Sequence, residues 1–566
     1  MPCTTYTYQG GERLELSCST THFVSRAKKE QLEGEEFSLI HPLSPHSWCV
    51  RTSPERLHED LVRARLLGPA YPAYVVAGSG AGFHVTDRIA LRFRRNVTDT
   101  EARQFGVHAD LEVVKHLTPR DVLFRVPDDK DAIDVVRNLT ELHLDDVELV
   151  DHDLNIRPQL QEAIAAEPDA AEQQWHLLST IANPLVQTCA LLDCEGAWKE
   201  TCGEGVVIGV VDSGCDLTDP NFGGLEKFVD WAVLLDGELL TSKDLLTDPN
   251  GSIMNPPRVH GTLCATLVAA SAARHSGVGV APDCRLLPVK WQALADGKTA
   301  FSESLFLDII HYLRDKVDVV SLSWTRGAGK LGRWPKYIVE ALEDAALHGG
   351  PHGNGIVWVW AAGNRNCPIR YSGDIEVPIV VAGNGAVKES SREFVNPFVG
   401  LPGVVHVGAI SSFGQRCHYS NYGEGLDLVA PSGNKHTYGR GEVRGIPLYA
   451  PLEHGLYHFR GTSAATPLVA GVAALVRAVN PKLTSEQIVS VLRQTADKDL
   501  DFTGYDPSSR PTDPNPAWDV SPIEPYRSGK FDREYPDGTW SPWFGFGKVN
   551  ARAAVARALE LRQKQL

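Results

Sequence analysis

Three short stretches hold side chains that could do chemistry in concert. In Val210-Val211-Asp212-Ser213-Gly214 an apolar run that reads as a strand ends in a carboxylate, and Ser-Gly turns the chain away. In His260-Gly261-Thr262-Leu263-Cys264-Ala265 an imidazole stands at the start of an apolar helix. In Gly461-Thr462-Ser463-Ala464-Ala465-Thr466-Pro467 a serine follows a glycine turn and precedes the small and apolar run Leu468 to Val476. That spacing puts Ser463 at a helix N-terminus, where unpaired backbone N–H groups and the helix dipole favour negative charge. Pro467 is tolerated there because the first turn has no use for its missing N–H. Singly, these stretches are a turn, a polar helix start and a capped core helix. Together they supply a nucleophile, a general base and an orienting carboxylate for acyl transfer. A serine hydroxyl is a weak nucleophile at neutral pH, so His260 must take its proton and later return it to a leaving amine. Asp212 would fix the imidazole tautomer and stabilise the imidazolium.

Such groups need a rigid frame. From residue 175 onward, apolar strands (Gly205 to Val211, Leu286 to Val289, Val317 to Leu322, Ile356 to Ala361, Val404 to Val407) alternate with helices (Leu263 to Ala273, Ser302 to Lys316, Tyr337 to Leu347). Alternation of this kind predicts an α/β domain, a mostly parallel sheet with helices on both faces, with ligands gathered at the carboxyl ends of its strands. Residues 74–155 read differently, as strand, capped helix, two strands, helix and strand, which predicts a small α+β ferredoxin-like domain. Residues 1–73 are β-rich with one helical stretch, Pro54 to Leu67, and carry no evident chemistry. Residues 156–174, rich in Ala, Glu and Gln, read as an exposed linker open to cleavage. The catalytic region, 175–566, is interrupted by an acidic, Pro-rich insertion at 497–543.

The chain has 566 residues, enough for at least two domains, and its 55 Lys plus Arg against 71 Asp plus Glu leave a net charge of −16. No basic tract follows a phosphate backbone, so nucleic acid is not an expected partner. The start, Met1 to Tyr8, has neither a basic n-region nor an apolar h-region, and no apolar run reaches transmembrane length. A cytoplasmic protein without membrane contact is the expectation. Most of the 11 cysteines read as reduced core thiols; Cys189, Cys194 and Cys202 match no paired metal-binding spacing, so no metal site is assigned. The chemistry calls for no cofactor, while the carboxylates of the 497–543 insertion would admit a structural calcium ion.

The three motifs, in the chain order Asp, His, Ser, resemble the subtilisin-like serine peptidases, peptidase family S8, over residues 175 to about 560. Further matching stretches are Gly279-Val280-Ala281-Pro282-Asp283, Val319 to Ser323, Ala361-Ala362-Gly363-Asn364, Pro402 to Ala409 and Ser420-Asn421-Tyr422-Gly423. The resemblance implies a serine endopeptidase working through an acyl-enzyme, with Asp212, His260 and Ser463 as its triad. It implies Asn364 as side-chain donor to the oxyanion, beside the Ser463 backbone N–H. Asn384, in a second Ala-Gly-Asn, is a rival, but Asn364 follows its helix and strand in the family's order. By the same resemblance, the backbone of Ser323-Trp324-Thr325 would bind an extended protein or peptide substrate as an added strand. Trp358 to Gly363, including Trp360, Ala361, Ala362 and Gly363, would line the pocket for the residue before the cut. The N-terminal sandwich resembles a propeptide that contacts the cleft and holds the enzyme latent, with 156–174 as the maturation site. A catalytically silent peptide-binding regulator and a transpeptidase on the same scaffold are the competing functions.

Overall fold

The computed structural model describes residues 4–565 apart from 36, 38, 45–46, 78–81, 84, 157–163, 166–173, 236, 246–251, 255–258, 272–276, 294–298, 327–332, 382–386, 435–444, 454 and 503–520. An eight-stranded sheet forms its centre. The strands run in the order Glu238–Thr241, Ala232–Leu235, Arg285–Lys290, Val207–Asp212, Val319–Leu322, Val357–Ala361, Val404–Ile410 and Leu428–Pro431. All neighbours are parallel except the first pair. The strand Val207–Asp212 comes first in the chain yet sits inside the sheet, so the strand order reverses beside it. That reversal opens a crevice at its carboxyl end, where Asp212 lies.

Strand alternation decides which helices pack where. Val357 and Val359 face one core with the helices His260–Ala269 and Thr462–Val479, while Trp358 and Trp360 face another with Glu303–Leu313 and Lys336–His348. Both faces are covered, as the near-continuous apolar strands require. Thr462–Val479 is the one helix among the described residues long and apolar enough to span a membrane, and 94% of it is buried in this core.

Upstream, Val85–Phe93, Asp99–Ala109, Glu112–His116, Asp121–Arg125, Ala132–Glu141 and Val147–Ile156 follow one another as strand, helix, strand, strand, helix and strand. The first helix is set by a capping box of Thr98 and Glu101, the second by Asp131 accepting from the Ile133 N–H. The four strands pair antiparallel in the order Val147–Ile156, Val85–Phe93, Asp121–Arg125, Glu112–His116. Ile89, Leu91, Val122 and Phe124 on one sheet face bury against those two helices, whereas Ala90 and Leu123 on the other join the core of Glu303–Leu313 and Lys336–His348. Ion pairs rim this second contact: Arg92 holds Asp121 at 2.7 Å and Glu340 at 2.9 Å, and Lys115 meets Asp308 at 2.5 Å.

The last strand is longer than its apolar pattern suggests. Val147 to Val150 is the stretch that reads as a strand, but pairing continues to Ile156 because Asn155 and Ile156 lie antiparallel to Ser302 and Phe301, at the entrance to the Glu303–Leu313 helix. Ahead of this unit, the strands between Thr4 and Phe83 form a further sheet against the helix Leu57–Leu67. The linker at 156–174 lies outside the described residues except for Ile156, Ile164–Ala165 and Gln174. Ile164–Ala165 pairs antiparallel with His458 and Tyr457.

Candidate active site

Asp212 ends its strand at the sheet's switch point, 1% exposed, and His260 opens the helix His260–Ala269, 3% exposed. Asp212 Oδ1 accepts from His260 Nδ1 at 2.8 Å. That bond leaves the other ring nitrogen, Nε2, as the lone-pair acceptor; it is buried and meets no hydrogen-bond partner among the described residues. Gly261 permits the approach, since a Cβ there would stand 2.0 Å from the Gly214 carbonyl oxygen and 3.1 Å from Asp212.

Ser463 is the second residue of Thr462–Val479 and is 1% exposed. The helix starts at Gly461, whose φ of 91° a side chain would resist, and whose N–H donates to the Tyr419 hydroxyl at 3.0 Å. The Ser463 hydroxyl donates to the Ser323 carbonyl at 2.9 Å, and Ser323 Oγ donates back to the Ser463 carbonyl at 2.9 Å. Cys264 lies between the two helix starts, its Sγ 3.8 Å from His260 Nδ1 and 3.8 Å from the Ser463 carbonyl. Burial, followed by nearby Asp212, pushes the Cys264 thiol well above the usual range, so it stays protonated and is no rival nucleophile.

Asn364 sits opposite, half-buried. Its Oδ1 accepts from the Thr462 N–H at 2.8 Å and from the Thr462 hydroxyl at 3.0 Å, and the same hydroxyl accepts from the Gly363 N–H at 3.1 Å. With Oδ1 committed, the amide NH₂ is the end turned away from the helix and free to meet a ligand oxygen. Asn384 lies outside the described residues.

Beside these donors is a cleft with about 520 Å³ of open volume. Its lining includes Thr325, Trp360, Ala361 and Ala362, four of the positions expected to meet substrate. Gly363 adjoins it, and Ser323 is turned to Ser463 instead. The structure does not bring the Trp324 indole there: that ring is fully buried, 5.5 Å from Trp291, 5.7 Å from Phe306 and 5.2 Å from Trp360. The Trp324 carbonyl accepts from Trp360 Nε1 at 2.7 Å. Sequence reasoning missed Arg326, Asn396 and Phe398, which also line the cleft, and Phe459, whose ring stands edge-on to His260 at 5.2 Å. Arg326 could have been read from its place directly after Thr325; Asn396 and Phe398 arrive from beyond an inserted hairpin, Tyr371–Val381 with Val387–Phe394, and carried no signal.

Of acidic, cysteine and histidine side chains, two groups of three converge among the described residues: Asp212, His260 and Cys264, and the more exposed Cys202, Glu204 and Asp283. Neither is an all-oxygen set of the kind calcium takes. In the acidic insertion, Asp497 is held by Lys548 and Asn550, Asp501 by Gln415, and Asp537 by Arg493 and Ser490.

The family model described as the subtilase family matches residues 203–547. A calcium-dependent protease of Nostoc sp. is 26% identical over 415 residues, covering 69% of this chain and 52% of that protein. The major intracellular serine protease of Bacillus subtilis is 27% identical over 330 residues, covering 56% of this chain and 85% of that protein. The chain thus spans about half the length of the first of these relatives. Among solved structures, fervidolysin from Fervidobacterium pennivorans, a keratinolytic enzyme related to subtilisin, superposes with a TM-score of 0.52 at 19% identity, covering 83% of this chain and 61% of that one. This last likeness bears on fold alone.

Proposed function

The chain belongs to the subtilase family, and on that premise we propose that it is a serine endopeptidase that cleaves peptide bonds through an acyl-enzyme on Ser463. The observation that carries the reading is the 2.8 Å bond from His260 Nδ1 to Asp212, which presents Nε2 as a base beside the helix that holds Ser463. In the reaction, Ser463 rotates from the Ser323 carbonyl to Nε2, and its proton passes there as Oγ attacks the scissile carbonyl. The imidazolium is balanced by Asp212. The oxyanion of the tetrahedral intermediate is met by the Asn364 NH₂ and the Ser463 N–H, both held before substrate arrives. His260 then returns the proton to the leaving amine, and water repeats the sequence to free the acid.

The N-terminal unit from about residue 74 to 155 is read as a ferredoxin-like propeptide that holds the enzyme latent. Two pairings support this: Asn155–Ile156 adds to Ser302 and Phe301, and Ile164–Ala165 adds to Tyr457 and His458, in the strand that leads into Ser463. Both pairings fall at or within the predicted linker, which favours maturation by a cut within 156–174. Calcium is proposed only as a structural ion, by analogy with relatives such as the calcium-dependent protease of Nostoc sp.. The described carboxylates do not form a site for it, so no step is routed through it; melting temperatures with chelator and with added calcium test it.

The deciding experiment expresses the full chain beside Ser463→Ala and follows intact mass and labelling by a serine-directed fluorophosphonate. Labelling and trimming confined to the wild type are the expected result. Absence of labelling, with and without calcium and after limited proteolysis, overturns the endopeptidase reading and favours a peptide-holding regulator.

A further inference from the structure

We propose that Arg326 makes the cleft beside Gly363 a pocket for a substrate side chain ending in a carboxylate, so that the enzyme cuts after glutamate and aspartate. The inference rests on the endopeptidase reading above and names its substrate class.

Trp334, Trp360, Ala361, Ala362 and Phe398 give the cleft an apolar part of its wall. Most of its other polar groups are already committed. Asn396 Nδ2 is 2.9 Å from His406 Nε2, and its Oδ1 accepts from the Phe398 N–H at 3.1 Å. Asn421 Oδ1 accepts from the N–H groups of Arg365 and Cys367 at 3.0 and 3.2 Å, and its Nδ2 donates to the Ala362 carbonyl at 2.9 Å. The Trp360 N–H is spent on Trp324.

Arg326 is the exception. Its side chain is 8% exposed, with the guanidinium carbon 4.8 Å from the Trp334 ring centroid. One nitrogen, Nη1, makes an ion pair with Glu303, which is itself fully buried beneath the cleft and does not line it. Glu303 turns its other oxygen to the Leu154 N–H at 3.2 Å. Beyond that ion pair, Nη1 is buried and meets no hydrogen-bond partner among the described residues.

A guanidinium offers five N–H donors in a plane, and one ion pair leaves room for a second carboxylate. The stacked Trp334 ring keeps that plane fixed, so little order is lost when a ligand binds. An aliphatic side chain in the cleft would bury those N–H groups unpaired, which is costly, whereas a carboxylate would satisfy them. A lysine or arginine side chain would meet the like charge of Arg326.

The test is cleavage of peptide pools that vary only the residue before the scissile bond, with products identified by mass. It uses the full chain under conditions where Ser463 takes the fluorophosphonate label, with Arg326→Met and Arg326→Gln alongside. The expected kcat/KM for glutamate exceeds that for leucine by about tenfold to a hundredfold, with lysine lowest, and both variants lose that preference. A labelled wild type that cuts after leucine or phenylalanine as fast as after glutamate overturns the pocket assignment and leaves the endopeptidase reading standing. So does an acidic preference that both variants retain. Failure to label at all overturns the reading beneath it.

Discussion

Ser463 donates its hydroxyl to the carbonyl of Ser323, 2.9 Å away, and not to the imidazole that would activate it. On the proposed mechanism the hydroxyl must leave this carbonyl before it can meet His260. The proposed mechanism makes the two residues a unit, so Ser463→Ala and His260→Ala are each expected to lose on the order of 10⁶ in turnover, a scale established for subtilisin. The double variant should lose no more than either alone, and single-turnover kinetics on one peptide decide it; multiplying losses would mean the two residues act apart.

Thr462 holds the carbonyl end of the Asn364 amide with both its N–H and its hydroxyl. Asn364→Leu should cost about a hundredfold to a thousandfold in kcat with little change in KM, again the magnitude known from subtilisin. Thr462→Val keeps the N–H and removes the hydroxyl, so a smaller loss of about fivefold to tenfold is expected. A rise in KM at constant kcat for Asn364→Leu would place this amide in ground-state binding instead.

Gly261 has no room for a methyl group, because its Cβ would fall 2.0 Å from the Gly214 carbonyl oxygen. Gly261→Ala should push the start of the His260–Ala269 helix off the strand end that carries Asp212, costing about 1–3 kcal/mol in stability. Labelling of Ser463 should fall far more than the melting temperature does. Unchanged labelling would show that the His260 position is not set by this contact.

Three buried carboxyls meet where the N-terminal sheet docks. Asp151 accepts from the Gly10 N–H and has Arg92, Asp121 and Arg326 nearby; Asp153 accepts from the Ser304 N–H and hydroxyl, with Arg88 and Lys115 nearby; Glu303 faces Arg326, Asp153 and the Leu154 N–H. Burial raises Asp151 to about 7 and Glu303 to about 8, and raises Asp153 as well. Carboxyls raised in the folded state bind more protons there than when unfolded. Their contribution is complete below the usual carboxylate range near 4, and is lost as pH rises through about 7 to 8. The melting temperature of the full-length Ser463→Ala chain should therefore fall from mildly acidic to mildly alkaline pH, and Asp151→Asn with Glu303→Gln should flatten the slope. A wild-type curve with no such fall would count against this linkage.

Much of the site was legible because acyl transfer demands particular residue types at particular ends of secondary structure. Asp212 at a strand end, His260 at a helix start and Ser463 behind Gly461 are local facts, each readable from a few neighbours. So was the alternation that builds the parallel sheet, since apolar runs of strand length separated by amphipathic helices have few other solutions. The upstream strands and helices were legible for the same reason, and in the structure Thr98 and Asp131 cap the two helices.

Other features depend on residues far apart in the chain. The sequence reading of Trp324 concerns its backbone and does not say where its indole goes; the ring closes an aromatic core with Trp291, Phe306 and Trp360. The hairpin Tyr371–Val381 with Val387–Phe394 delivers Asn396 and Phe398 to the cleft from well down the chain. The resting bond of Ser463, the edge-on contact of Phe459 with His260 and the pairing of Arg326 with buried Glu303 are likewise settled by packing. Periodicity, caps and turn residues report what a segment does with its own backbone, and on that level the sequence by itself determined the sheet, the helices and the element ends at which Asp212, His260 and Ser463 stand. Rotamers, cleft walls and buried ion pairs are fixed by which distant segments share a volume and which polar groups must be satisfied there, so only the tertiary structure could decide them.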